Sequence, residues 1–278
     1  MPANTASLRG RVLRWYGRHG RDLPWRRTHD PYRVLVSEVM LQQTQVARVL
    51  DAYPRFLRRF PTIDALARAP LGAVLRAWSG LGYNRRARDL WRVAQAKPGG
   101  LPRQAGELDA LPGIGPYTAA ALACFAHGDA LAFADTNIRR VLGRVVIGRT
   151  ASDREARALD AQLLSRRAPA RWHHALMDIG ATVCRSRGPR CESCPLRTDC
   201  RYLSGPVAEL PRRRQNSFTT SDRRVRGRIV RLLAERRRSP TVPELIGEVA
   251  DARAGRLLDV LVVEGLAVIE KGRARLPA

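Results

Sequence analysis

Four cysteines in the last third of the sequence have a spacing that suits a metal centre. They follow the pattern C-x6-C-x2-C-x5-C, at Cys184, Cys191, Cys194 and Cys200, and Pro195 comes directly after the third. Four thiolates so close in sequence can bind either a [4Fe–4S] cluster or a structural zinc ion, because both take four sulfur ligands. Zinc ribbons usually pair two C-x2-C knuckles across a longer gap, whereas this sequence has one C-x2-C. Disulfides and unligated thiols are the remaining alternatives.

The segment that carries these cysteines is strongly basic. Its arginines are Arg185, Arg187, Arg190 and Arg197. The sequence therefore predicts a metal-binding loop surrounded by positive charge. The fifth cysteine, Cys124, lies instead in the apolar run AAALACFA, and it is predicted to be a small buried side chain.

A glycine-rich turn between two helical stretches is the second candidate site. In LPGIGPYTAAALACFA, Gly113 and Gly115 flank Ile114, and a helix is predicted to start near Thr118. Glycines allow backbone amides to approach an anion closely, and a helix N-terminus favours negative charge. The segment is therefore a candidate phosphate clamp, with an ordinary tight turn as the alternative.

An acidic residue follows this turn at a short interval. Asp135 lies twenty residues beyond Gly115, in FADTNIRRVLGRV, and Asn137 follows it ahead of a basic helix. Aspartate is a good N-cap, so Asp135 is expected to cap that helix. Capping and catalysis are compatible, and Asp135 is a candidate for both.

Helical periodicity covers most of residues 5–200. Apolar residues recur at three- and four-residue steps in SLRGRVLRWYGRH, in RVLVSEVMLQQTQVARVLDAYPRFLRRF and in GAVLRAWSGL. Strand patterns are nearly absent there, which predicts an all-α fold. Prolines and glycines divide the helices at Pro24, Pro31, Pro61, Pro70, Gly80 to Gly82, Pro98 to Gly100 and Pro112 to Gly115.

The C-terminal part of the chain has a different organisation. Residues 202–220 lose the periodicity and are predicted to be a basic linker. Ser221 is expected to cap a helix through about Glu235, and shorter helical patterns follow near 242–250 and 252–264. The last segment, LAVIEKGRARLPA, alternates like a short hairpin. Three helices and a basic hairpin resemble a winged helix, a form of helix-turn-helix module.

The composition restricts the class of partner. The chain of 278 residues is 45% apolar, which is enough for a core, and its formal net charge is +25. So positive a surface attracts phosphate backbones or anionic membranes, and nucleic acid is the preferred interpretation. No apolar run approaches the roughly 20 residues of a membrane span, and the N-terminus has no apolar signal core. We therefore expect a protein of the bacterial cytoplasm, where thiolate ligands stay reduced.

Taken together, the glycine turn, the aspartate beyond it and the four-cysteine loop resemble the helix-hairpin-helix (HhH-GPD) DNA glycosylase superfamily, over about residues 8–202. Within this span, LPWR at 23–26, SEVMLQQTQV at 37–46, GLGYNRRARDL at 80–90 and MDIGATVC at 177–184 resemble the adenine DNA glycosylase (MutY) branch. The resemblance implies a two-lobed helical fold with a [4Fe–4S] cluster in one lobe and the hairpin in the other. It also implies that mismatched or damaged double-stranded DNA binds across the cleft.

The resemblance assigns roles to four residues. Glu38, flanked by apolar residues, would be the general acid that protonates adenine at N7, which requires a raised pKa. An exposed helical glutamate is the alternative. Asp135 would remain ionised and stabilise the oxocarbenium ion, a division of labour that parallels glycoside hydrolysis. Asn137 and Tyr117 would contact the sugar, the phosphate or water.

Further expectations follow from the resemblance. Bifunctional relatives such as endonuclease III have a lysine where this chain has Tyr117, so a monofunctional glycosylase is expected. Gln43 and Tyr83 align with residues that similar enzymes place in the duplex beside the estranged base. Gly113 and Gly115 would contact the DNA backbone. The cluster would do no redox chemistry on the base, and the loop arginines Arg185, Arg187 and Arg190 would contact phosphates.

The sequence departs from the family pattern at its C-terminus. Many adenine glycosylases append a Nudix-like domain that helps to recognise 8-oxoguanine, and residues 221–278 are too few for that fold. Asn84 replaces a common second aromatic residue, and DTN replaces DGN at Asp135. The alternatives are therefore a glycosylase for thymine or uracil opposite guanine, or a DNA-binding regulator with an Fe–S domain. The predicted organisation is a glycosylase domain at 1–201, the linker at 202–220 and the winged-helix-like unit at 221–278, in a monomer.

Overall fold

The computed structural model describes residues 5–205, 207–209, 217–236 and 238–278, and these are mainly helical. One π-helical turn covers Ile179–Val183, and three short 3₁₀ helices cover Pro24–Arg26, Cys191–Ser193 and Arg197–Asp199. The α-helices and strands, in chain order, are α1 Thr5–His19, α2 Pro31–Leu41, α3 Val46–Arg59, α4 Ile63–Ala67, α5 Leu71–Ala77, α6 Arg85–Ala96, α7 Ala105–Asp109, α8 Pro116–His127, α9 Thr136–Val146, α10 Asp153–Leu163, α11 Pro169–Asp178, α12 Arg201–Ser204, α13 Asp222–Glu235, α14 Val242–Val249, α15 Ala254–Val263, β1 Val268–Glu270 and β2 Arg273–Arg275.

The chain forms two compact units, and neither is continuous in sequence. The described residues of the first unit are 5–34, 103–109, 115–205 and 207–209. Its core is built on α1, α9, α10 and α11, and it includes the fully buried Leu8, Leu142 and Trp172. Helix α8, which is apolar around most of its circumference, is buried from Ala121 to Ala126. A helix that is apolar on all sides belongs in a core rather than at a surface.

The second unit contains the described residues 35–102, 110–114, 217–236 and 238–278. The ring of Phe56 in α3 packs edge-on against the ring of Trp78 after α5, with 5.8 Å between centroids. Both side chains are fully buried, and Leu66 of α4 and Leu75 of α5 are buried in the same unit. The apolar spacing of these helices therefore corresponds to faces that are buried in the core.

The C-terminal residues form the three helices and the hairpin that the sequence predicts. Strands β1 and β2 pair antiparallel, and Thr241 begins α14 with a capping box in which its hydroxyl accepts from the Glu244 amide. The prediction that Ser221 caps α13 is right about the position and wrong about the contact. Ser221 precedes α13, but its hydroxyl donates to the carbonyl of Phe218 at 2.8 Å.

The long periodic stretch from α2 to α3 is interrupted. Helix α2 ends at Leu41 and α3 begins at Val46, because Gln43 adopts a left-handed backbone with φ of 54°. Part of the predicted linker is also helical, since α12 covers Arg201–Ser204; residues 206 and 210–216 of that linker lie outside the described residues. Within the described part of the chain, no helix combines the length and the hydropathy required to cross a membrane.

Candidate active site

Asp135 is the N-cap of α9, as the sequence predicts. Its carboxylate accepts from the amides of Asn137 at 2.9 Å and Ile138 at 2.7 Å, and from the side-chain amide of Asn137 at 2.8 Å. Burial raises the pKa of Asp135 above its ordinary value, although these three donors and the charge of Arg140 oppose the rise. The carboxylate is thus fixed in position by a helix N-terminus, with a pKa that lies above that of an exposed aspartate.

Asn137 links this carboxylate to the segment before the first cysteine. Arg140, on the next turn of α9, donates to the Asn137 side-chain oxygen at 2.8 Å, to the Gly180 carbonyl at 2.6 Å and to the Cys184 carbonyl. A Cβ atom added at Gly180 would lie 2.5 Å from the Asn137 Cβ, so only glycine permits this approach. Sequence reasoning identified the motif MDIGATVC but missed that its glycine, Gly180, packs against Asn137, which bonds to Asp135.

Tyr117 lies in the first turn of α8, which begins at Pro116, two residues before the predicted start. Its ring packs edge-on against Phe133 at 5.6 Å, and Phe133 stacks on His173 at 3.8 Å. The fully buried Asp160 bonds to the His173 imidazole at 2.8 Å and also accepts from the Phe133 amide. Sequence reasoning did not single out His173, yet this buried network supports Tyr117.

Both hairpin glycines occupy the turn before α8. Gly113 has a φ of 72°, and a Cβ atom there would lie 2.7 Å from the Asp89 Cβ. Gly115 is the N-cap of α8. The prediction that a glycine-rich turn leads directly into a helix N-terminus is therefore confirmed, and both conformation and space at position 113 require glycine.

Glu38 lies on α2 with only 8% of its surface exposed. The neighbouring Val36, Ser37, Val39 and Met40 are also buried. The alternative interpretation of an exposed helical glutamate is therefore wrong. The Glu38 carboxyl group therefore lies in a largely buried setting, where a charge costs more than in water unless a partner compensates for it. Glu38 belongs to the second unit, whereas Asp135, Asn137 and Tyr117 belong to the first.

Gln43 and Tyr83 share an unusual backbone conformation and a cavity. Both have positive φ, 54° and 50°, and the other non-glycine residues described with positive φ are Ala250 and Lys271. Tyr83 is 37% exposed, and both residues line a cavity of about 860 Å³ within the second unit. Backbone strain of this kind persists only where surrounding contacts hold it, and it is common at functional sites.

Arg86 supplies those contacts, and sequence reasoning missed it. Its guanidinium donates to the carbonyls of Val39 at 2.8 Å and Met40 at 3.0 Å at the end of α2, and to the carbonyl of Leu81 at 3.1 Å. It also lies 5.3 Å from the centre of the Tyr83 ring. Burial lowers the pKa of Arg86 to about 10, so the group remains charged at neutral pH. One guanidinium thus joins the Gln43 turn to the Tyr83 turn.

The four cysteines of the loop line one small pocket in the first unit. Burial and the neighbouring cysteines raise the pKa of Cys194 to about 11. Arg144, whose side chain is buried, lies with its guanidinium 3.7 Å from the Cys184 sulfur. Among the described residues, no group of three or more His, Cys, Asp or Glu side chains is placed to hold a metal ion. Cys124 lies elsewhere and is fully buried, as predicted.

The loop arginines differ in their surroundings. Arg187 and Arg190 are exposed, whereas Arg185 is partly buried and donates to the Gly188 carbonyl at 2.6 Å. Arg197 pairs with Glu192. The exposed pair therefore has guanidinium groups available to solvent, and Arg185 shapes the loop.

The LPWR motif has a structural explanation. Arg26 forms a bidentate pair with the fully buried Asp178, with both distances at 2.8 Å, and Arg21 joins the same carboxylate at 2.7 Å. Burial would raise the pKa of Asp178, but the two arginines outweigh it and lower the pKa. Asp178 comes from MDIGATVC, so the two motifs meet in one buried ion pair.

Comparisons with known proteins agree on a single family. The model of the HhH-GPD superfamily of base excision DNA repair proteins matches residues 36–166. An adenine DNA glycosylase of Mycobacterium tuberculosis is 41% identical over 280 residues, which cover 96% of this chain and 92% of that protein. An adenine DNA glycosylase of Mycolicibacterium smegmatis is 42% identical and covers 92% of this chain and 90% of its own length. A solved thermostable thymine-DNA glycosylase matches 72% of this chain and 96% of its own, with a TM-score of 0.66 and 27% identity.

Proposed function

We infer that this chain, which belongs to the adenine DNA glycosylase family of the HhH-GPD superfamily, removes adenine mispaired with 8-oxoguanine or guanine in duplex DNA. It is a base excision repair enzyme that hydrolyses an N-glycosidic bond. The observation that carries the proposed site is a carboxylate held in place at a helix N-terminus. Three N–H donors fix Asp135 there, and Glu38, the second carboxyl group of the proposal, is 8% exposed. Glycoside hydrolysis likewise divides its chemistry between two carboxyl groups.

Glu38 is proposed to act first, on a base that has left the stack. A mispaired base costs less to flip than a paired one. Protonation of adenine at N7 by Glu38 allows the base to leave as a neutral molecule when the C1′–N9 bond breaks. The burial of Glu38 supports this role, because a general acid must keep its proton near neutral pH.

Asp135 is proposed to remain ionised as the bond breaks and to stabilise the positive sugar. Its hydrogen bonds from Asn137 and Ile138 favour the charged form, although burial raises its pKa. Water then adds to C1′, and the product is an abasic site. The amide of Asn137, which Arg140 holds from the other side, keeps the carboxylate in one orientation.

Tyr117 is proposed to contact the sugar or a phosphate without forming a covalent bond to the DNA. The chain contains two lysines, Lys97 and Lys271, and neither occupies the position after the hairpin where a Schiff base would form. We therefore propose a monofunctional enzyme. We propose that the turn containing Gly113 and Gly115 contacts the DNA backbone, with its amides close to a phosphate.

We propose that Gln43 and Tyr83 enter the duplex beside the estranged base. Each of the two residues has a left-handed backbone in a turn, and Arg86 links the two turns. Tyr83 is partly exposed. A rigidly held aromatic ring can fill the gap that a flipped base leaves, because it loses little conformational freedom on insertion.

The four cysteines are proposed to bind a [4Fe–4S] cluster. The donor set fits, because each of the four irons takes one thiolate and the four cysteines line one pocket beside the Arg144 guanidinium. When bound, the cluster would shape the loop. Arg185 orders the loop through Gly188, and Arg187 and Arg190 are proposed to contact phosphates. Iron and sulfide content and the visible absorption spectrum distinguish this cluster from zinc.

The remaining proposals concern organisation and location. We propose a glycosylase domain at residues 1–201, a basic linker at 202–220 and a winged-helix-like unit at 221–278. We further propose that the enzyme acts as a monomer on duplex DNA in the bacterial cytoplasm. The net charge of +25 supports DNA as the partner.

Single-turnover base release tests the proposed function. The duplexes carry A opposite 8-oxoguanine, A opposite G, T opposite G or U opposite G, and the proteins are wild type, Glu38→Gln and Asp135→Asn. We expect adenine release from the first two duplexes, strand cleavage only after alkali, and loss of release in both variants. Release of thymine or uracil alone would contradict the assignment of substrate, and cleavage without alkali would contradict the monofunctional assignment.

A further inference from the structure

Two distant parts of the chain line the cavity of about 860 Å³ in the second unit. Gln43, Arg48 and Tyr83 come from the α2–α3 turn, α3 and the turn before α6. Phe218 and Arg231 come from the segment before α13 and from α13 itself. The chain from Phe218 onward therefore helps to form a cavity that Gln43 and Tyr83 also line.

The chemistry of the lining points to one class of ligand. Eight arginines line the cavity, and no aspartate or glutamate is among the lining residues that the structure describes. Arg48 and Arg231 are exposed. Two aromatic rings accompany these arginines, because Phe218 is 61% exposed and Tyr83 is 37% exposed. Exposed aromatic rings among arginines are the combination that binds a nucleic acid strand, with phosphates on the cations and bases stacked on the rings.

The C-terminal helices are fixed against α5 and α6 of the same unit, which makes their side of the cavity a stable surface. Glu264, at the end of α15, accepts from Arg226 of α13 at 2.9 Å and also pairs with Arg85 of α6. The hydrogen bonds from Arg85 and Arg226 lower the pKa of Glu264 to about 2, although burial opposes this change. The amide of Gly72 in α5 donates to the Pro277 carbonyl at 2.9 Å.

The C-terminal unit also touches Tyr83 directly. Arg223 of α13 donates to the Tyr83 hydroxyl, and its guanidinium lies 5.6 Å from the centre of the ring. Arg86 lies 5.3 Å from the same centre. Two guanidinium groups therefore hold one exposed ring, and one of them comes from the C-terminal unit.

We propose that the chain from Phe218 onward is a DNA-binding element that receives one strand of the bound duplex in this cavity. Arg48 and Arg231 contact phosphates, Phe218 stacks on a base, and Arg223 positions Tyr83. The proposal rests on the proposed function in one respect, which is that the ligand is DNA. It adds a binding surface that lies outside the residues of the glycosylase motifs.

Equilibrium binding at several salt concentrations tests the phosphate contacts. The ligand is a duplex with 8-oxoguanine opposite 2′-fluoro-deoxyadenosine, because the fluorine disfavours a positive sugar and slows loss of the base. Each phosphate contact contributes about 0.9 to the slope of log K against log salt concentration. We expect Arg48→Ala/Arg231→Ala to reduce the slope by about 2. Arg76→Ala, at an exposed position outside the cavity, is the matched control and should leave it unchanged.

The same assay tests the stacking contact through a different signature. Phe218→Leu removes the ring and keeps an apolar side chain, so affinity should fall about 10-fold while the salt slope stays unchanged. The three substituted residues Arg48, Phe218 and Arg231 are exposed, and circular dichroism checks that the fold is retained. The proposal is overturned if both the double variant and Phe218→Leu bind like the wild type.

Base release is measured in a second assay, so that failure of the proposed binding surface can be distinguished from failure of the proposed activity. Altered binding by the variants would support the C-terminal surface even if adenine were not the excised base. Normal adenine release with unaltered salt slopes and affinities would leave the activity in place and refute the surface.

Discussion

Gly180 offers a sharp test of how the segment before Cys184 positions the proposed catalytic carboxylate. In Gly180→Ala the new Cβ would lie 2.5 Å from the Asn137 Cβ and 2.9 Å from its Cα. Restoring ordinary van der Waals contact requires a movement of about 1 Å. Asn137 bonds to both oxygens of Asp135, at 2.9 and 2.8 Å, so the movement is transmitted to the carboxylate.

The size of the effect follows from that displacement. A misplacement of about 1 Å can reduce a catalytic rate about 100-fold, so we expect the single-turnover rate of adenine release to fall about 10- to 100-fold. Overpacking should also cost about 1–3 kcal/mol of stability, which lowers Tm by several degrees. Duplex affinity should change little, because Gly180 is buried.

The matched control is Gly106→Ala, at a helical glycine of the same unit where an added Cβ meets no atom within 4 Å. Base release is followed by alkaline cleavage of a labelled duplex, and the iron content of each protein is checked. The reasoning is refuted if Gly180→Ala releases adenine at the rate of Gly106→Ala while both proteins are equally loaded and folded.

Three further predictions address other parts of the molecule. In Arg86→Lys the ammonium group cannot reproduce the guanidinium fork that bonds to both turns. Tm should therefore drop by several degrees, and affinity for a mismatched duplex should fall about 10-fold. Equal values for Arg86→Lys and the control Arg76→Lys, in thermal melting and in fluorescence anisotropy, would contradict this. Base release should decline as the pH falls through the pKa of Asp135, because protonation removes the charge and burial has raised that pKa; a rate that continues to rise on acidification would count against an ionised Asp135. Gly72→Ala should loosen the C-terminal unit, because the added Cβ would lie 2.4 Å from the Pro277 carbonyl oxygen. Faster amide hydrogen exchange over residues 222–275 would report this loosening. Gly227→Ala, where an added Cβ meets no atom within 4 Å, is the control.

Sequence patterns were reliable where the deciding interactions are local. The capping role of Asp135 was predictable because its partners lie two and three residues away. The helices of the C-terminal unit and its hairpin were predictable for the same reason, since apolar spacing and turn residues act over a few positions. One local feature was not predictable in this way. At the turn around Gln43, the helical periodicity of the sequence continues through residues that are not helical.

The functional candidates that the sequence revealed depended on motif resemblance as well as chemistry. The spacing of four cysteines left a cluster and zinc both open. Glu38 could have been an exposed residue on a helix, and only the tertiary structure shows that it is buried.

The sequence alone therefore determined the helical class, the cysteine spacing, the candidate carboxylates and the basic character of the chain. Tertiary structure alone revealed that Arg86 joins two strained turns, that Gly180 abuts Asn137 and that Arg223 reaches Tyr83. Arg86 and Met40 are 46 positions apart along the chain, Gly180 and Asn137 are 43 apart, and Arg223 and Tyr83 are 140 apart. Contacts at such separations leave no periodic signal in sequence, because they depend on which helix faces pack together.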